Sequence, residues 1–106
     1  MFAPRLLAAV ALLPQLSLAE ETPLQRHGEE LLKAKCVRCH AVGRTGSSPR
    51  PEAPAFRVLS RKYPIESLAE SLAEGISVGH GEMPEFVFEP KDVAAIIAYL
   101  NSIQER

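Results

Sequence analysis

Apolar positions return at helical spacing in several stretches of this chain, and irregular segments rich in glycine and proline separate them. The first stretch begins at Thr22-Pro23, which reads as an N-cap followed by proline at the first helical position. Leu24, Gly28, Leu31 and Leu32 then share one face, with Glu29, Glu30, Lys33 and Lys35 on the other. Phe56 to Arg61 predicts a short helix that Tyr63-Pro64 breaks. Ile65 to Glu74 predicts an amphipathic helix with Ile65, Leu68, Ala69 and Leu72 on its apolar face and Gly75 as its stop. Pro90 opens the last helix, with Lys91 and Asp92 in its first turn and Val93, Ile96, Ile97, Leu100 and Ile103 as its buried stripe. Between these lie two irregular segments, Gly43 to Pro54 and Ile76 to Glu89. The pattern is all-α, without repeats or low-complexity tracts.

One position breaks the local rules. Gly28 sits inside the first helix, where glycine costs about 1 kcal/mol relative to alanine. Such a residue predicts close approach by another element. His27 beside it is expected on a solvated flank.

Composition adds bounds. A chain of 106 residues with a formal charge of −1 accommodates one domain and carries no basic stripe, so nucleic acid is not an expected partner. Residues 1–19 differ from the rest. Arg5 gives a small positive region, Leu6 to Leu13 is an unbroken apolar run, Pro14 ends it, and Ser17-Leu18-Ala19 offers small residues for cleavage. This predicts a signal peptide cut after Ala19, a domain at 20–106 and an exported product. The run falls short of the roughly 20 apolar residues that span a bilayer, so no stable membrane insertion is expected after cleavage.

The chemistry centres on Cys36-Val37-Arg38-Cys39-His40, a C-x-x-C-H pattern that predicts attachment of one haem c. Two thiols so spaced reach two vinyl groups of one porphyrin edge, and the histidine that follows is carried beneath the ring as an iron ligand. These are the chain's two cysteines. A structural zinc site would require further Cys or His ligands, and a thioredoxin-like pair would sit in a βαβ pattern. Neither accompanies them. With both cysteines spent on haem, the group would form the centre of a small core, and the apoprotein should fold poorly.

A second axial ligand is then needed. Met83, in Glu82-Met83-Pro84, is the one methionine besides Met1, and it lies in a loop rather than on a helical stripe. A thioether there raises the reduction potential and closes the iron to substrates. His80 is the rival, ranked behind Met83 because it stands between Gly79 and Gly81. Phe86 and Phe88 bring apolar bulk close to Met83 and are expected to wall the distal pocket, with Ile76 and Val78 as weaker candidates. Phe86-Val87-Phe88 is too short a run to separate a strand from a loop.

Over nearly the full length of the expected mature chain, the sequence resembles small class I c-type cytochromes. The residues that carry the likeness are Gly28 and Leu32, Cys36 to His40, Pro54, Met83-Pro84 and Ala98-Tyr99-Leu100. The resemblance implies a cytochrome c-like fold, three to four helices wrapped around one covalent haem. It implies that the first and last helices cross with Gly28 against Tyr99, and that the Pro54 carbonyl receives the proximal histidine's Nδ1–H. It departs from the family in having Ala53-Pro54 where Gly-Pro is common, and Leu32 where an aromatic is frequent. The expected site is therefore His40 and Met83 as axial ligands, Cys36 and Cys39 as covalent anchors, and Pro54, Phe56 and Phe86 about the cofactor. The expected function is one-electron transfer in the bacterial periplasm with redox proteins as partners, without catalysis of its own. The product is expected to be a monomer or the haem-bearing subunit of an oxidoreductase complex. A haem sensor or peroxidatic enzyme is the third reading, which an open sixth position would favour. Arg57, Arg61 and Lys62 form a basic cluster expected to be a solvated helix face.

Overall fold

A computed structural model describes residues 2–12, 20–75 and 83–106. Three α-helices, α1 (Pro23–Lys35), α2 (Leu68–Glu74) and α3 (Pro90–Ile103), are joined by two 3₁₀ segments, Phe56–Arg61 and Ile65–Ser67. No strand occurs among the described residues, and Phe86 to Phe88 is irregular.

Helix α1 starts where its capping chemistry dictates. The Thr22 hydroxyl accepts from the Gln25 N–H at 3.1 Å, and the Gln25 side chain accepts from the Thr22 N–H at 2.9 Å, closing a capping box. Lys33 and Lys35 in the last turn oppose the partial negative charge of the helix end. The predicted helix over Ile65 to Glu74 is divided: its first turn, Ile65–Ser67, is 3₁₀, and only Leu68–Glu74 is α-helical. Gly75 ends it with φ +110°, and its N–H reaches the Ser71 carbonyl at 2.8 Å.

Helices α1 and α3 form the main packing interface. Gly28 and Leu32 are the buried residues of α1, while Leu24 is nearly half exposed. Helix α3 buries Val93, Ala95, Ile96, Tyr99, Leu100 and Ile103, a wider face than its apolar stripe predicted because Ala95 and Tyr99 join it. The close approach foreseen at Gly28 is real, and the atoms nearest to it are backbone of Ala95 and Ile96. A Cβ on Gly28 would lie 2.6 Å from the Ala95 carbonyl carbon and 3.0 Å from the Ile96 nitrogen. Backbone cannot rotate away as a side chain can, so the position admits only glycine.

His27 is exposed yet not merely solvated. Its Nε2 lies 2.8 Å from the Asp92 carboxylate, tying α1 to the first turn of α3. Nor is the Arg57, Arg61 and Lys62 cluster a simple solvated face. Arg57 and Arg61 both pair with Glu105, at 3.2 and 3.1 Å, and Arg57 also donates to the Gly46 carbonyl at 2.6 Å. These contacts hold the C-terminus against the first 3₁₀ segment, where the Glu105 N–H also reaches the Arg57 carbonyl at 2.8 Å.

Residues 2–12 carry no helix and are exposed throughout. Among the described residues no helix is long and apolar enough to cross a membrane. The expected cleavage position after Ala19 lies outside the described residues, as do Ile76, Val78 and His80.

Candidate functional site

The C-x-x-C-H segment grows directly out of α1. The Cys36 N–H donates to the Leu32 carbonyl at 2.8 Å, so the first cysteine caps the helix. Cys39 and His40 then donate their N–H groups back to the Cys36 carbonyl at 3.2 and 2.9 Å, winding the motif into one turn. Cys36 and Cys39 are half-buried free thiols with no disulfide between them. Burial pushes the Cys36 thiol up to about 11, against a lowering influence from Lys35, with Cys39 raising it further. Such an apolar setting suits an uncharged sulfur, as in a thiol or a thioether.

His40 is buried, and its orientation is set by a residue far along the chain. Its Nδ1 lies 2.8 Å from the Pro54 carbonyl oxygen. A carbonyl only accepts, so Nδ1 carries the proton and Nε2 keeps its lone pair for a metal. The Phe56 ring lies against the imidazole with centroids 4.6 Å apart and planes 30° apart. Three further bonds hold the loop that delivers Pro54. Ala41 donates to the Ser48 hydroxyl at 3.0 Å, Arg50 N–H to the Cys39 carbonyl at 3.2 Å, and Phe56 N–H to the Ala41 carbonyl at 3.0 Å. Tyr99 adds a fourth from α3, donating its hydroxyl to the buried Val42 carbonyl at 2.7 Å. Burial, with smaller contributions from Glu29 and Glu21, pushes the Tyr99 phenol up to about 12.

The cysteines, His40, Pro54 and Phe56 line one cavity of about 1020 Å³. Cys36, Cys39, His40, Pro54, Phe56, Met83 and Phe86, the whole expected site, contribute to its wall. Leucines from all three helices and from the first 3₁₀ segment, together with Ile96 and Phe88, make the remainder largely apolar. Met83 is half-buried there, and Phe88 is fully buried. The Phe88 N–H reaches the Leu72 carbonyl at 2.9 Å, and its ring lies 6.2 Å from that of Phe86. Lys35, Arg38, Arg50 and Lys62 are exposed side chains that reach the same cavity, with Glu52 and its 3.5 Å contact to Arg50 among them. Sequence reasoning put Lys35 on the polar face of the first helix and Lys62 in the basic cluster, and assigned none of these four cations to the cavity. The adjacency of Lys35 and Arg38 to the cysteines was the available signal.

The cavity lies at the upper end of the usual range for ligand pockets, roughly 300–1,000 Å³. Its donor set is two separate thiols, one imidazole with its distal nitrogen available and one thioether. Among the described residues no cluster of three or more His, Cys, Asp or Glu could hold a bare metal ion. The residues therefore fit a large apolar ring that carries its own metal.

Comparison with known proteins agrees with this chemistry. The family model described as cytochrome C oxidase, cbb3-type, subunit III matches residues 23–100. No curated protein and no solved structure matches the chain.

Proposed function

The chain belongs to that family of c-type cytochrome domains, and on this premise we propose that it is a one-electron carrier built on a single haem c with histidine–methionine ligation. Haem-based electron transfer is the chemistry of the family; the ligand set, the single haem, the periplasmic setting and the partners are the present reading. The observation that carries it is the convergence of Cys36, Cys39, His40 and Met83 on one cavity.

When bound, the haem supplies a metal that gains and loses one electron. The protein's residues do the rest. Cys36 and Cys39 would anchor the porphyrin edge. Pro54 holds the His40 proton on Nδ1, which directs Nε2 into the cavity and raises its basicity as a ligand. Met83 would supply a second ligand to the metal and keep substrates from it. Phe86, Phe88 and the leucines exclude water, which limits solvent reorganisation when the charge changes.

Optical spectra of the oxidised and reduced protein test this reading. A weak near-infrared sulfur-to-iron band in the ferric form, and colour retained through acid-acetone extraction, are expected. An extractable haem would overturn the covalent attachment, and carbon monoxide binding to the ferrous form would favour a sensor or peroxidatic enzyme.

A second reading has its own support. The matching family is described as an oxidase subunit, which favours a haem-bearing subunit of an oxidoreductase complex. Co-purification with other chains in fixed ratio supports that reading, whereas elution of the native protein as a lone monomer supports the free carrier. In either case residues 1–19 would direct export and be removed after Ala19.

A further inference from the structure

The segment that carries Met83 is fastened to the molecule on two sides. Toward α2, the Phe88 N–H bonds the Leu72 carbonyl at 2.9 Å, and the Glu85 side chain packs over Gly75 so closely that a Cβ at Gly75 would lie 3.0 Å from the Glu85 carboxyl carbon. These contacts fix where the segment leaves α2 and enters α3. They do not fix how far Met83 stands from the turn that bears Cys36, Cys39 and His40. A further contact reaches α1. The Lys35 ammonium lies over the Phe86 ring, 5.7 Å from its centroid. Lys35 is the last residue of α1 and directly precedes Cys36, while Phe86 stands three residues after Met83.

We propose that Lys35 is a positioning residue for the sixth ligand: its ammonium, seated on Phe86, ties the segment carrying Met83 to the cysteine-bearing end of α1. The proposal rests on the reading of Met83 as the distal ligand. Its physical basis is the attraction of a cation to the negative face of an aromatic ring within about 6 Å. The alternative use of Lys35, as an i,i+4 partner on its own helix, is not available in α1. The residue four positions earlier is Leu31, and Glu29 pairs instead with Lys33 at 2.7 Å.

The experiment is titration of the ferric holoprotein with imidazole, which must displace the thioether to bind iron. Lys35→Gln removes the charge and keeps most of the stem. It should raise imidazole affinity about two- to fivefold, the range expected for a partly exposed cation–π contact. Lys35→Arg should restore wild-type affinity, since guanidinium also binds an aromatic face. In a Phe86→Leu background, Lys35→Gln should add nothing. Unchanged affinity in Lys35→Gln, or an equal increment with and without the Phe86 ring, overturns the proposal. Failure of the underlying reading is seen separately. If Met83→Ala keeps the near-infrared band, Met83 is not the ligand and the role of Lys35 falls with it. If Met83→Ala loses the band while Lys35→Gln leaves imidazole affinity unchanged, only the role of Lys35 is lost.

Discussion

The two walls of the cavity are held in different ways. Around His40 the chain is laced by hydrogen bonds: Cys36 to Leu32, His40 to Cys36, Phe56 to Ala41, the imidazole to Pro54 and Tyr99 to Val42. Around Met83, among the described residues, the contacts are mainly between side chains, Lys35 on Phe86 and Phe86 near Phe88, with a backbone bond from Phe88 to Leu72. The first wall is specified by directional hydrogen bonds, and the second, among the described residues, mainly by packing of side chains. The His40 wall should therefore govern whether the domain folds, and the Met83 wall how the iron behaves once it has.

The largest effect should come from removing what both walls share. With Cys36→Ala and Cys39→Ala together, the cavity of about 1020 Å³ would lose the anchorage proposed for its haem. A domain this small has little core to spare. We expect loss of the cooperative thermal transition by circular dichroism, and a transition like that of the holoprotein would show that the helices alone suffice.

Met83→Ala tests the second wall. It should abolish the near-infrared band, lower the potential and admit carbon monoxide, while far-ultraviolet dichroism stays near wild type. His80→Ala should leave all of these as they were, and loss of the band in that variant would reassign the ligand.

Gly28→Val strikes the interface that supports the first wall. The new side chain meets Ala95 backbone, so the cost should reach about 3 kcal/mol, the upper part of the overpacking range. An unchanged denaturant midpoint would mean that the helices cross elsewhere.

Tyr99→Phe leaves the buried Val42 carbonyl without its donor and should cost about 1–3 kcal/mol. It also carries a pH signature. The phenol is raised to about 12 in the folded protein against an ordinary value near 10. The folded state therefore retains a proton that the unfolded state has lost, and stability should fall as pH rises through this interval. In Tyr99→Phe that part of the alkaline decline should vanish, and identical profiles would count against a buried phenol.

The smallest effect is expected from His27→Gln. Its bridge to Asp92 is about half exposed at the histidine, and such pairs contribute about 0–1 kcal/mol. A loss well above that, read from the denaturant midpoint, would make the bridge part of the helix crossing rather than an addition to it.

Much of this was legible in the sequence. The cap at Thr22-Pro23, the stop at Gly75 and the start at Pro90 are local events, decided within a few residues by hydrogen-bond geometry and the rigidity of proline, and each appears where the pattern placed it. So was the motif from Cys36 to His40, because its chemistry depends on spacing within one turn. The partner of Gly28 was not legible. The glycine announced a close approach, but that Ala95 backbone comes nearest to it depends on how two helices thirteen and fourteen residues long rotate against each other. The duties of Arg57, Arg61 and His27 were hidden for the same reason, since Glu105 and Asp92 lie 48, 44 and 65 residues away from them respectively. Sequence by itself determined which atoms could bind a haem. The family resemblance implied the contact of Pro54 with the imidazole, which the structure shows, but only the tertiary structure brought Lys35 to Phe86 and Tyr99 to the Val42 carbonyl, because contacts between remote segments follow from the packing of the whole chain rather than from the preferences of any one stretch.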